Sequence, residues 1–397
     1  MKKLRVGVLF GGRSGEHEVS LLSAASVLEA VDKSKYEVVP IGITKQGRWV
    51  TAGHAERLLK GKSAERPEAR HLRAGDPEAT PGAAVLARGE GVVVPPVPGE
   101  KHSALVPFET DAHELRAALN PVEVDVIFPV LHGTFGEDGT IQGLLELADV
   151  AYVGAGVLGS AAGMDKDVMK RLFRYAGLPM VKHVTVLRSA WREQPKKARK
   201  TIEGTLKYPL FVKPANLGSS VGISKAHDAG ELAAAMDEAA RFDRKLVIEQ
   251  GVGGAKGKAR EIECSVLGND NPIASLPGEI VPIKEFYDYS AKYLEEGSQL
   301  IIPARLSKAK QKEVRRLAIA AFQAIDCAGM GRIDFLLDPR SEKIYVNEIN
   351  TIPGFTSISM YPKLWAATGI SYPELIDRLI QLGLERHAEK KKNQYNR

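Results

Sequence analysis

The stretch from Arg332 to Thr356, RIDFLLDPRSEKIYVNEINTIPGFT, constrains the fold more than any other. Apolar Ile333, Phe335 and Leu337 alternate with Arg332, Asp334 and Leu336, a polar turn follows near Pro339 to Lys343, and Ile344 to Asn350 returns as a second arm. Period-two alternation places successive side chains on opposite faces of a strand, so the two arms read as a β-hairpin. If the turn is symmetric about Ser341, Asp334 faces Glu348 and Arg332 faces Asn350. Two carboxylates sharing one pleat face repel by roughly 4 kcal/mol at ~4 Å and an effective dielectric of ~20. Positive charge must therefore sit between them. An all-oxygen set of Asp, Glu and Asn with no neighbouring Cys or His suits a hard cation such as magnesium, which draws further ligands from phosphate oxygens. A charged surface hairpin satisfies the same pattern without a metal.

With 397 residues the chain has room for two or three domains with sizeable cores. Its 55 basic and 49 acidic residues give a formal charge of +6, with the excess concentrated in the tail from Glu389 and between Arg188 and Lys207. No aromatic-basic stacking pattern accompanies those basic runs, so no nucleic-acid partner is expected, while anionic small molecules remain compatible. Cys264 and Cys327 lie in apolar stretches without CxxC spacing and read as reduced, buried thiols. No apolar run is long enough for a membrane span, and the N-terminal one breaks at Gly11-Gly12, too early for a signal peptide. The cytoplasm is the expected address.

Along the chain, strand Leu4 to Phe10, a Gly-rich turn, a helix from His17 to about Val31, and strands Glu37 to Ile43 and Val124 to Leu131 predict a parallel α/β unit. Residues 51–120 read as an insertion with short strands at Ala83 to Leu86 and Val92 to Val94. Gly154, Gly156 and Gly159 form a literal G-x-G-x-x-G before a helix expected over Ser160 to Tyr175. A dinucleotide site needs an acidic residue about 20 positions later at the end of the next strand. Here that strand ends in Leu187-Arg188-Ser189, which argues against a nicotinamide cofactor. A small α+β unit follows, from strand Val181 to Leu187 through Leu246 to Gln250, and the segment GVGGAKGK at Gly251 to Lys258 marks a hinge. The remainder is strand-rich, with helices at Lys308 to Ile325 and Tyr372 to Arg386. The loop Pro214 to Gly222 after Lys213 can offer backbone N–H groups to phosphate, although it is no Walker A motif. Tyr287, Tyr289 and Tyr293 surround Lys292 in a segment without a clean apolar face, which fits a flap better than a core stripe.

Taken in order, LFGGRSGEHEVSL, VLHGTFGEDGTIQG, GMDKDVMK, FVKPANLGSSVG, REIECSVLG, FYDYSAKY, GRIDFLLD and VNEINTIPGFTSISMYP are similar to the motifs of D-alanine:D-alanine ligases of the ATP-grasp superfamily, over residues 4 to 385. The resemblance implies a chain of α/β and α+β parts with the ATP-grasp fold. It has an N-terminal Rossmann-like parallel α/β domain (1–160), a small central lid (161–257) and a C-terminal catalytic domain (258–397), with ATP gripped between the last two. It also implies the reaction: ATP phosphorylates the carboxylate of one D-alanine, and the amine of a second displaces phosphate to give D-alanyl-D-alanine for peptidoglycan.

By the same resemblance Asp334, Glu348 and Asn350 hold two magnesium ions, with manganese as an alternative. Lys166, Lys213 and Lys292 contact phosphate, and Glu249, Gln250, Val252 and Glu261 contact adenosine. Arg332 and the Gly354 N–H are the oxyanion donors. Glu16 holds the first ammonium group, Ser219 and Tyr293 tie Glu16 to the flap, and His132, Ser359 and Met360 complete the amino-acid sites. Tyr293 stands where relatives that make D-alanyl-D-lactate tend to carry Phe, so a second D-alanine is the expected acceptor. The resemblance further implies a homodimer through the N-terminal domain. A sibling ligase using D-lactate or D-serine, a nicotinamide oxidoreductase and a silent ATP-binding module are the competing functions.

Overall fold

The structure, a computed structural model, describes residues 3–51, 90–93, 103–107, 122–253, 258–281, 299–356 and 358–394. Three sheets organise it. The first has eight strands, β1 (Leu4–Gly11), β2 (Tyr36–Ile43), β3 (Trp49–Thr51), β4 (Glu90–Val93), β5 (Ser103–Pro107), β6 (Val122–Val124), β7 (Val126–Val130) and β8 (Ala151–Tyr152), in the order β6-β5-β4-β3-β2-β1-β7-β8. Strands β2, β1, β7 and β8 run parallel, as their unbroken apolar runs predict for strands covered on both faces. The strands from the insertion extend one edge antiparallel, whereas the short strand expected at 83–86 lies outside the described residues. Helix α1 (His17–Ala30) covers one face and α2 (Thr140–Leu147) the other.

The single helix expected from Ser160 to Tyr175 is two, α3 (Val157–Met164) and α4 (Lys166–Tyr175). Asp165 ends one and caps the next, its side chain accepting the N–H groups of Asp167 and Val168. Four free N–H groups at a helix start favour a short acidic acceptor there, and that local preference breaks the run. Gly154 and Gly159 permit close packing. A Cβ on Gly159 would stand 2.7 Å from the Asp326 carbonyl oxygen, and one on Gly329 would stand 3.0 Å from the Gly154 backbone.

The second sheet is antiparallel, with β9 (His183–Leu187), β10 (Leu210–Pro214), β11 (Ser224–Ala226) and β12 (Lys245–Gln250) in the order β11-β10-β12-β9. Leu210, Val212, Leu246 and Ile248 point to one face, where they pack with helices α5 (Arg188–Glu193), α6 (Pro195–Thr205) and α7 (Leu232–Phe242). Period two leaves Phe211, Lys213 and Glu249 on the opposite face, and all three line the central cavity.

The third sheet holds β13 (Arg260–Gly268), β14 (Ile273–Ala274), β15 (Gly278–Val281), β16 (Gln299–Ile301), β17 (Gly329–Leu337) and β18 (Ile344–Asn350), in the order β16-β15-β13-β17-β18 with β14 beside β13. Helix α8 (Lys308–Ala324) buries Val314, Leu317, Ala318, Ala321 and Phe322, the i, i+3, i+4 spacing of one helical face, beneath this sheet. Two helices close the chain: α9 (Met360–Thr368) and α10 (Tyr372–Lys390). Leu375, Ile376, Leu379 and Ile380 of α10 join the core of the first sheet with Val6, Val8 and Phe10, so the C-terminal helix is packed onto the N-terminal unit. Met169 and Phe173 of α4 likewise join the third sheet's core.

The hairpin of β17 and β18 has the expected register at its functional end: Arg332 pairs with Asn350 and Asp334 with Glu348. Nearer the turn, Phe335 pairs with Val346, so Asn347 is an extra residue in a β-bulge. Unbroken alternation would turn Val346, Glu348 and Asn350 to one side. The bulge resets the parity, so Ile344, Val346 and Ile349 are buried while Glu348 and Asn350 join Asp334 and Arg332 on the cleft face.

Candidate active site

The cleft between the second and third sheets, closed at one end by the first, encloses a cavity of about 510 Å³, within the usual range for ligand sites. Its two walls carry opposite charge. On the second-sheet side, Lys213 on β10 and Lys166 at the start of α4 are both buried. Lys213 donates to Glu249 Oε2 at 2.8 Å, while Lys170, one turn beyond Lys166 and 1 % exposed, pairs with Glu249 Oε1 at 2.9 Å. Burial favours neutral Glu249, but the two lysines outweigh it and hold its carboxyl far below the usual range. Burial also opposes charge on Lys213, and Glu249 and Glu348 more than offset it, raising its pKa. Lys166 keeps a lowered pKa, because burial there exceeds the help from Glu348.

On the third-sheet side, Arg332 donates from Nε and Nη2 to the two oxygens of Asp334, both at 2.7 Å, and lies 3.1 Å from Glu263. Asn350 donates its amide N–H to Asp334 Oδ2 at 3.1 Å, which leaves its Oδ1 as an acceptor. Lys166 Nζ stands 3.9 Å from Glu348 Oε2. The inward carboxylate pair is thus surrounded by protein cations. Among the described residues no three His, Cys, Asp or Glu side chains converge as a metal site. Two carboxylates and an amide oxygen on one face fit a hard cation only if other oxygens complete its shell, as nucleotide phosphates do.

The closed end of the cavity is built by the first sheet. Parallel pairing of β1 and β7 brings Glu16, at the entry to α1, beside His132, just past β7. A Cβ on Gly218 would stand 2.7 Å from Glu16 Oε1, so the 217–222 loop lies directly on that carboxylate and a side chain at 218 would push it aside. Ser219 follows with φ of 49°, a left-handed conformation rare for serine, and lines the same cavity. Ser359 precedes α9 but does not bond the helix; its Oγ accepts the Thr356 N–H at 3.0 Å and contacts Thr356 Oγ1 at 2.7 Å. Met360, Gly354, Val252 and Glu261 also line the cavity. The Gln250 side chain turns away to accept the Lys207 N–H at 3.0 Å. Lys292 and Tyr293 lie outside the described residues.

Sequence reasoning overlooked Lys170, Glu137 and Ser23. Lys170 lies four residues after Lys166, on the same helical face, a spacing that exposes it in hindsight. Glu137, buried, accepts the Gly133 N–H at 2.7 Å and the Ile352 N–H at 3.1 Å. Burial and the nearby Glu16 carboxylate push its pKa up to about 8. His132 is buried too, and burial lowers its pKa despite Glu16.

Residues 5–155 match the family model described as D-ala D-ala ligase N-terminus, and residues 172–381 match that described as D-ala D-ala ligase C-terminus. The chain is 49 % identical over 394 residues to the D-alanine--D-alanine ligase of Heliobacterium modesticaldum, covering 99 % of this chain and 98 % of that one. It is 50 % identical over 391 residues to that of a Thermoanaerobacter species, covering 98 % and 99 %. Among solved structures, the D-alanine-D-alanine ligase from Coxiella burnetii superposes with a TM-score of 0.75 at 34 % identity, covering 99 % of this chain and 97 % of the other. The VanG D-Ala:D-Ser ligase from Enterococcus faecalis gives 0.78 at 35 %, covering 96 % and 100 %. A cleft gripped between two antiparallel sheets, lysines on one wall and carboxylates on the other, defines an ATP-grasp enzyme. The chain belongs to the D-alanine–D-alanine ligase family.

Proposed function

We propose that this cleft runs a two-step ligation in which each wall serves a different part of the chemistry. The enzyme is an ATP-dependent ligase that joins two D-alanine molecules into D-alanyl-D-alanine for peptidoglycan, releasing ADP and phosphate. Adenosine is assigned to the pocket bounded by Glu249, Gln250, Val252 and Glu261, and the phosphates to Lys166 and Lys213 in the same cavity, with Lys292 added by the resemblance of its motif. Asp334, Glu348 and Asn350 would hold the divalent metal, assigned as two magnesium ions with manganese as a substitute, which neutralises phosphate charge during transfer.

Glu16 takes the ammonium group of the first D-alanine, and Ser219 and Tyr293 keep that carboxylate in place. The substrate carboxylate attacks the γ-phosphorus, ADP leaves, and an acylphosphate remains. The amine of the second D-alanine, whose carboxylate is seated at Ser359 and Met360 at the start of α9, then attacks the acyl carbon. Arg332 and the Gly354 N–H stabilise the oxyanion, and phosphate departs. Residues 1–160, 161–257 and 258–397 act as substrate, lid and catalytic domains, in a homodimer placed in the cytoplasm. Among the described residues no helix is long and apolar enough to cross a membrane.

The observation that carries this reading is the hairpin register, which puts Arg332, Asp334, Glu348 and Asn350 on one cleft face opposite the lysines. The experiment is D-alanine-dependent phosphate release from ATP with the product identified by mass, repeated with D-lactate and D-serine as acceptors. Dipeptide with D-alanine as the preferred acceptor is expected. No turnover in the presence of magnesium overturns the function, and preference for D-lactate or D-serine overturns the specificity.

A further inference from the structure

Three side chains of the N-terminal unit hold the backbone of Ile352 to Phe355. The Ile352 N–H goes to Glu137 Oε1 at 3.1 Å, and the Ile352 carbonyl faces His132 Nδ1 at 3.1 Å. Pro353 has no N–H. The Phe355 N–H goes to Ser23 Oγ at 3.3 Å, and Ser23 Oγ lies 3.1 Å from His132 Nε2. A carbonyl only accepts, so His132 Nδ1 carries the proton. Neutral Nε2 then accepts the Ser23 hydroxyl, whose oxygen is free to accept the Phe355 amide. Among the described residues, the one N–H of this stretch left without an acceptor is that of Gly354, the oxyanion donor.

Ser23 is fully buried and sits seven residues, two helical turns, after Glu16 on the same face of α1. The Phe355 ring is clamped beside it, 5.7 Å from Phe128 and 5.5 Å from Tyr361, so the loop has little freedom apart from the one bond Ser23 supplies. We infer that Ser23 is a positioning residue: by bonding both His132 and the Phe355 amide it aims the Gly354 N–H at the developing oxyanion. It thereby fixes the distance between that donor and the ammonium site at the other end of the same helix face.

This inference rests on the ligase reading of the site. Its test compares Ser23→Ala with Ser20→Ala. Ser20 is equally buried on α1, and its hydroxyl bonds the Val130 carbonyl and the Gly11 amide, not the loop. Removing an oxyanion donor outright costs about 100- to 1000-fold in kcat, and mis-aiming one costs less. Ser23→Ala is expected to lower kcat by about 10- to 30-fold, with KM for ATP within about twofold of the unaltered enzyme. A phosphinate isostere of the tetrahedral intermediate should lose affinity by the same factor. Ser20→Ala should stay within about threefold in both measures. Should Ser23→Ala match the unaltered enzyme in kcat and phosphinate affinity, or Ser20→Ala lose as much, the positioning role fails while the ligase reading stands. Failure of the unaltered chain to make dipeptide removes both.

Discussion

Replacing Lys170 by Met separates the two jobs its charge performs. The side chain is 1 % exposed, and Met fills most of the same volume, so the change isolates the ammonium group. Two contacts disappear: the 2.9 Å pair with Glu249 and the 3.2 Å bond to the Asn347 carbonyl. Breaking a buried ion pair by removing one partner costs about 3–5 kcal/mol. Glu249 keeps Lys213 at 2.8 Å, which places the loss near the low end, about 3 kcal/mol. The bulge carbonyl left without its donor adds about 1 kcal/mol. Urea unfolding of the nucleotide-free enzyme should therefore show a loss of about 4 kcal/mol. Adding Glu249→Gln removes the uncompensated carboxylate, and the double variant should recover at least about 1.5 kcal/mol relative to additivity. In Lys170→Met, Glu249 also draws Lys213 away from phosphate, so KM for ATP rises by about tenfold, some 1.4 kcal/mol of binding. A stability loss under about 1 kcal/mol, or strict additivity in the double variant, would refute the account of Glu249 as a carboxylate shared between two lysines.

Glu348→Ala removes a carboxylate proposed to hold the metal, its pair with Lys166 a long 3.9 Å, so dipeptide synthesis should fall by at least about 100-fold while the unfolding free energy moves by less than about 1 kcal/mol. Retention of a tenth of the activity would show that the hairpin face had been misassigned. The raised pKa of Glu137, about 8, means that the folded apo-enzyme holds a proton which the unfolded chain, at its ordinary carboxyl value of 4.5, has released. Stability of the apo-enzyme should accordingly fall as pH rises through that window. An ammonium group on neighbouring Glu16 favours the Glu137 carboxylate, so D-alanine binding near neutral pH should release a proton and tighten as pH rises toward 8. Calorimetry in buffers of different ionisation enthalpy reads this directly; proton uptake, or unchanged release in Glu137→Gln, would contradict it.

The hairpin was legible because its alternation and symmetric polar turn are local facts, and Asp334 and Glu348 meet as that symmetry requires. The bulge was visible only in hindsight, in the spacing of three between buried Val346 and Ile349, which no plain strand accommodates. Helix α1 starts at His17 as its pattern predicts, yet the break at Asp165 went unread because a capping aspartate inside a helical run looks like any exposed acid. Ser23, Glu137 and Lys170 escaped for a different reason: their importance comes from burial, and burial of a polar residue is decided by chain segments far away in sequence. Glu137 meets Ile352 and Lys170 meets Asn347 across more than a hundred residues. The destination of α10, onto the first sheet, is the same kind of fact.

The extra residue at Asn347 gives this part of the chain a counting rule. Substitutions can drift at many of its positions, because the face each side chain occupies depends on its number along the strand rather than on its chemistry. Gain of a single codon between Val346 and Glu348 is another matter. It would exchange inside for outside, driving Glu348 and Asn350 into the packed layer over α8 and lifting Ile349 into water. Length, more than composition, is therefore the property on which mutation can least afford to act here, and libraries built on this enzyme should vary letters in this ribbon while leaving its spelling length untouched.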